Sequence, residues 1–262
     1  KTNRGDGSRS KGQWNGKEQL HGIGEIIFAN GDVFEGEFKD GKKHGPGKWT
    51  YANGDIFEGE YKDGKENGHG KWTYANGTVF EGEYKDGKEN GHGKWTDANG
   101  NVLECEYKDG KENGHGKWTF ANGNVFEGEF KDGEANGHGK WTDANGDIFE
   151  GEYKDGKKHG PGKWTYANGT VFEGEYKDGK ENGLFTELNK SETHLGLHWF
   201  VDGKLTRRIL SKITDIYKTP QQDPQQTKPN ATPQSNTDSK KRKYRDISNV
   251  TGSGSAPSAT NR

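Results

Sequence analysis

The chain has 262 residues, of which Leu, Ile, Val and Phe make up only 36, too few for an ordinary globular core. Its formal net charge of −2 conceals three blocks: residues 1–20 carry 5 basic against 2 acidic side chains, residues 21–181 carry 21 against 32, and residues 182–262 carry 13 against 7. An acidic middle is repelled by phosphates, so nucleic acid is not expected as a partner, and a single cysteine excludes an internal disulfide.

Lys1 to Gln19 is polar and glycine-rich, without an apolar run long enough for a signal peptide or a membrane span. It begins with Lys rather than Met, which leaves a longer reading frame open. Within this 1–20 segment, Gly12-Gln13-Trp14-Asn15-Gly16-Lys17 reads as half of a degenerate repeat.

From His21 the chain becomes periodic. The phrase GPGKWTYANGDIFEGEYKDGKEN, Gly45 to Asn67, returns every 23 residues in seven full copies and a truncated eighth, and defines an array over 21–185. A fixed period of this length marks a stacked array, in which neighbouring repeats bury what one repeat alone leaves exposed. In the second copy Trp49 and Tyr51 alternate with Lys48 and Thr50, and Phe57, Gly59 and Tyr61 alternate with Ile56, Glu58 and Glu60. A period of two around a turn signal is a β-hairpin. Paired residues share a face, so an odd-numbered loop is required. Ala52-Asn53-Gly54, with Gly54 left-handed, sets Trp49 opposite Phe57 and Lys48 opposite Glu58. Lys62 to Gly68 reads as the loop to the next hairpin.

Seven hairpins in series predict an all-β, elongated antiparallel sheet with aromatic rows on one face. The first-strand row is Trp49, Trp72, Trp95, Trp118, Trp141 and Trp164; the second is Phe57, Phe80, Phe126, Phe149 and Phe172, begun by Phe34. Between the second-strand aromatics stand Gly36, Gly59, Gly82, Gly128, Gly151 and Gly174, which leave room for a ring close to the backbone.

These residues carry a resemblance. The phrase FEGEYKDGKENGHG and its variants resemble the MORN motif, aromatic-x-Gly-x-aromatic-x-x-Gly-Lys-x-x-Gly-x-Gly. The resemblance implies a non-enzymatic repeat scaffold for protein contacts, tethering partners at a membrane or a cytoskeletal structure. The alternative it implies is the regulatory module of a larger enzyme of lipid-kinase or lysine-methyltransferase type. It also implies membrane contact, which the negative charge of the array opposes. No cofactor or metal is expected, the partner is unnamed, and pairing into a homodimer stays open. One copy departs from the motif, with Leu103 for the aromatic and Cys105 for the glycine, and predicts a local distortion of the array.

After the array, residues 186–217 read as a C-terminal cap that covers the last sheet edge. THLGLHWFV (Thr193 to Val201) is a strand, Asp202-Gly203 a turn, and Leu205, Ile209, Ile213 and Ile216 recur at helical spacing over Lys204 to Tyr217. Residues 218–262 have the composition of a disordered tail, with a basic interaction cluster at Lys240, Lys241, Arg242, Lys243 and Arg245. Such a run reads as a nuclear import signal or a solvated tail. With the lone Cys105 it favours an intracellular setting, cytoplasmic or nuclear. The histidines His69, His92, His115 and His138 read as loop residues rather than metal ligands.

Overall fold

A computed structural model describes residues 2–3, 5–191 and 194–212. Every regular element in it is a β-strand. They are β1 Thr2–Asn3, β2 Arg9–Trp14, β3 Leu20–Ile27, β4 Val33–Lys39, β5 Lys42–Thr50, β6 Ile56–Lys62 and β7 Lys65–Thr73. There follow β8 Val79–Lys85, β9 Lys88–Thr96, β10 Val102–Lys108, β11 Lys111–Thr119, β12 Val125–Lys131 and β13 Glu134–Thr142. The last are β14 Ile148–Lys154, β15 Lys157–Thr165, β16 Val171–Lys177, β17 Lys180–Leu188, β18 His194–Val201 and β19 Lys204–Lys212. Each pairs antiparallel with the next, giving one 19-stranded sheet. At about 4.8 Å per strand it extends roughly 85 Å across the strands.

Two turns alternate along the sheet. On one edge Tyr51 N–H donates to Asp55 at 2.9 Å and Gly54 N–H to Tyr51 at 2.9 Å, closing the Ala52-Asn53-Gly54 loop. Trp49 then faces Phe57 and Lys48 faces Glu58, as an odd loop demands. On the other edge the expected seven-residue loop is replaced by a two-residue Asp63-Gly64 turn, because both residues are left-handed (φ 51° and 94°) and the strand resumes at Lys65. That is the turn whose twist suits a two-residue hairpin. The surplus residues are taken up in a bulge: Gly59 pairs with Gly70 and Tyr61 with Glu66. Both edges also tie repeat to repeat. Asp55 Oδ1 accepts from Ala75 N–H at 2.8 Å on one edge, and Gly64 N–H donates to the Lys43 carbonyl at 2.9 Å on the other.

The core is a strip one side chain deep. Phe57 is completely buried, yet among the described residues no second layer packs on this sheet. Its ring lies on the floor made by the cross-strand pair Gly59 and Gly70, and the rings of Tyr61, Trp72 and Tyr84 close around it at centroid distances of 5.6, 5.6 and 5.2 Å. The same arrangement recurs at Phe34 and Phe149, and Phe80 has the same glycine floor and flanking tyrosines.

Three expectations are corrected. Lys204 to Lys212 is a strand, not a helix; the remainder of the expected helix lies outside the described residues. The left-handed Asp202-Gly203 turn (φ 50° and 76°) returns the chain along β18, whose edge would otherwise be unpaired, and this outweighs the helical spacing. Leu205, Ile209 and Leu210 are consequently exposed. No distortion accompanies Cys105, since β10 keeps the register and bulge of its neighbours. Finally, His69, His92, His115 and His138 lie in strands rather than loops. The basic cluster from Lys240 to Arg245 lies outside the described residues.

Candidate functional site

The two faces of the sheet differ in chemistry. The charged face carries lysine and glutamate in cross-strand pairs: Lys48 with Glu58 at 3.1 Å, Lys94 with Glu104 at 3.1 Å, and Lys117 with Glu127 at 2.8 Å. His92 joins it, with Nε2 2.8 Å from Glu106. These exposed pairs are solvated and add little stability. Among the described residues no group of three or more His, Cys, Asp or Glu could hold a metal.

The aromatic face brings the tryptophan and phenylalanine rows together, Trp72 against Phe57 and Trp164 against Phe149. The tryptophans are not equivalent. Trp72, Trp95, Trp141 and Trp164 are buried, whereas Trp49 and Trp118 are only partly so. Each of the glycines Gly36, Gly59, Gly82, Gly128 and Gly151 faces a second glycine across the strand pair, and a methyl group on any of them would strike backbone. Gly174 differs, because Phe185 lies over it where the other repeats place their own phenylalanine. Phe185 is completely buried and stacks on Phe172 at 4.8 Å, and Phe200 of β18 continues the ring strip at 5.3 Å from Phe185.

In the departing copy Cys105 Sγ sits where the phenylalanine tip lies elsewhere. A methyl group on Gly116 would meet Cys105 Sγ, as one on Gly70 would meet the Phe57 ring. The shorter Leu103 is therefore matched to the added sulfur, which explains the unbroken register. Burial pushes the Cys105 thiol up to about 12, with Glu112 adding to the rise. Native protein should accordingly react with a maleimide at pH 7.5 at under a hundredth of the rate of unfolded protein; comparable rates would mean that the strand opens readily.

Ring contacts alone do not account for this face, which also holds ionisable groups. Lys43, Glu66, Glu89, Glu112, Ala135, Lys158 and Glu181 occupy one position in successive repeats, the residue that follows the first residue of the strand after the Asp-Gly turn, or Asp-Gly-type turn. Glu89 and Glu112 are only 8% and 7% exposed. Burial raises both carboxyls above the ordinary range, opposed by their own amides and reinforced by the preceding glutamate of the row. Since the folded value is the raised one, their favourable contribution holds below the ordinary carboxylate range and is lost as pH rises through the raised value. Lys43 and Lys158 are lowered by burial, Lys158 to about 8. Continuing the alternation back from Trp72 through Gly70 and Gly68 to Glu66 would have placed these residues on the aromatic face. Reading 62–68 as a loop hid them.

Among solved structures the chain is similar to the TCP domain of SAS-4 of Drosophila melanogaster, in complex with a proline-rich motif of Ana2, at 16% identity over 68% of this chain and 95% of that one, with a TM-score of 0.41. It is also similar to the wild-type TCP10 domain of Danio rerio CPAP at 14% identity, over 79% of this chain and 98% of that one, with a TM-score of 0.43. No curated protein matches the chain. A family model described as MORN repeat matches residues 11–33, 34–56, 57–79, 80–102, 106–125, 126–148, 149–171 and 172–184, passing over only Leu103, Glu104 and Cys105 in between. Eight consecutive repeats covering well over half of its length make this chain a member of the MORN repeat family.

Proposed function

We propose that the chain is a non-enzymatic scaffold whose repeat array, residues 21–185, is a platform for protein contacts and tethers partners at a membrane or cytoskeletal structure. One observation carries the reading: a single hydrogen-bonded sheet repeats the same aromatic and ionic surface at a fixed interval, so one partner can be held at several equivalent points. Residues 1–20 and 186–217 flank the array as its end pieces, and residues 218–262 with their basic cluster are a tail acting in nuclear import. The setting is intracellular. Repulsion between the acidic array and anionic headgroups assigns membrane tethering to partners rather than to the sheet.

Affinity capture with the full chain and with a version ending at Tyr217, analysed for proteins and lipids together, tests this. Import receptors should be retained only by the full chain; all other proteins should be retained by both, and the shortened version should not sediment with phosphoinositide liposomes at low salt. Other proteins retained only by the full chain would move the scaffold function to the tail. Sedimentation reversed by salt would assign lipid binding to the array.

A further inference from the structure

The chain shows on its own aromatic face what a ring trio accepts. Lys43 Nζ lies 4.1 Å from the Trp49 ring centroid, 4.7 Å from that of Tyr61 and 5.5 Å from that of Phe34. Lys158 Nζ repeats this at 4.1 Å from Phe149, 4.2 Å from Trp164 and 5.8 Å from Tyr176. An ammonium over such faces is held by the ring quadrupoles, more strongly where water is excluded.

Between these two lysines the same position is acidic, at Glu66, Glu89 and Glu112. The first of the intervening trios has the same geometry: Phe57 to Trp72 and to Tyr84 at 5.6 and 5.2 Å, against 5.8 and 5.1 Å for Phe34 to Trp49 and to Tyr61. The glutamates do not lie over their rings as the lysines do. Their Oε2 atoms reach the turn glycines of the next repeat, Gly87, Gly110 and Gly133. Glutamates as deeply buried as Glu89 and Glu112 are ordinarily paired with a cation. Here their charged neighbours within the row are other glutamates, and the buried hydroxyls of Tyr84 and Tyr107 on the same face have no hydrogen-bond partner among the described residues.

We propose that the aromatic face of the central repeats holds an extended peptide bearing lysines, one ammonium entering beside each of Glu66, Glu89 and Glu112. This rests on the scaffold reading and specifies the chemistry of its partner. Equivalent positions are two strands apart, about 10 Å, and a peptide in the extended polyproline II form advances about 3.1 Å per residue and brings every third side chain to one face. The lysines therefore fall at every third residue. Lys43 repels the peptide at one end of the row and neutral Ala135 interrupts it at the other, which sets the register. The Glu112 position is the weakest of the three, because Leu103 stands where a phenylalanine completes the other trios.

The test is fluorescence anisotropy of the full chain with a labelled peptide Lys-Gly-Ser-Lys-Gly-Ser-Lys, compared with its isomer Lys-Lys-Lys-Gly-Ser-Gly-Ser. The spaced peptide should bind at least tenfold more tightly. Combining Glu66→Gln, Glu89→Gln and Glu112→Gln should weaken it at least tenfold, with a melting temperature unchanged or raised, since buried charge has been removed. Glu58→Gln, Glu81→Gln and Glu104→Gln together remove the same charge from the other face and should change affinity less than twofold. Equal affinity for the two peptides, or equal losses in the two triple variants, would overturn the proposal. Retention of protein partners by the array alongside such a result leaves the scaffold reading standing without it; loss of all array-dependent partners would remove the scaffold reading as well.

Discussion

Gly59→Val is expected to cost the array about 3–5 kcal/mol, the order of losing a buried aromatic ring outright. A Cβ at this position would stand 2.7 Å from the Gly70 Cα and 2.7 Å from the tip of the Phe57 ring. The first contact is with backbone in a hydrogen-bonded strand pair and cannot be relieved by a rotamer change. The second lifts a completely buried ring off its floor and opens it to Tyr61, Trp72 and Tyr84. Gly64→Ala provides the comparison, because its Cβ meets nothing within 4 Å and only the left-handed backbone (φ 94°) resists it. That change should cost about 1–2 kcal/mol. Long arrays do not always unfold as one unit, so native-state hydrogen exchange across β6, β7 and β8 is the appropriate measurement. A loss under 1 kcal/mol at Gly59→Val would show that the ring does not depend on the glycine floor.

Trp141→Ala should also cost about 3–5 kcal/mol. Trp141 is 5% exposed, and its Nε1–H donates to Asp143 Oδ1 at 2.8 Å, so the change opens a cavity and strands an acceptor. Trp118→Ala should cost at least 1 kcal/mol less. Trp118 is only partly buried, faces Leu103 rather than a phenylalanine in β10, and has an Nε1–H without a partner among the described residues. Equal losses in denaturant melts would mean that the tryptophan row is uniform in energy despite its uneven burial.

The sequence by itself determined the repeat, the strand type and the hairpin register, because all three follow from local constraints. A 23-residue period with alternating aromatics can bury its rings only on one face, and the odd loop at Ala52-Asn53-Gly54 then forces Trp49 opposite Phe57. What local pattern left undecided was every feature that depends on a neighbouring strand. Leu205 and Ile209 carry a helical spacing, but the unpaired edge of β18 is satisfied by a strand, and the hydrogen bonds of that edge decide the matter. Leu103 and Cys105 look like two defects, and become one substitution only when the sulfur is seen beside Gly116 in the place of a ring tip. The acidic row was hidden for the same reason. Glutamate is ordinarily a surface residue, and the alternation that puts Glu89 and Glu112 on the aromatic face does not say that they are covered there. Their burial is decided by the Asp-Gly turn of the next repeat folding beside them, a contact between residues some twenty positions apart that only the assembled sheet creates.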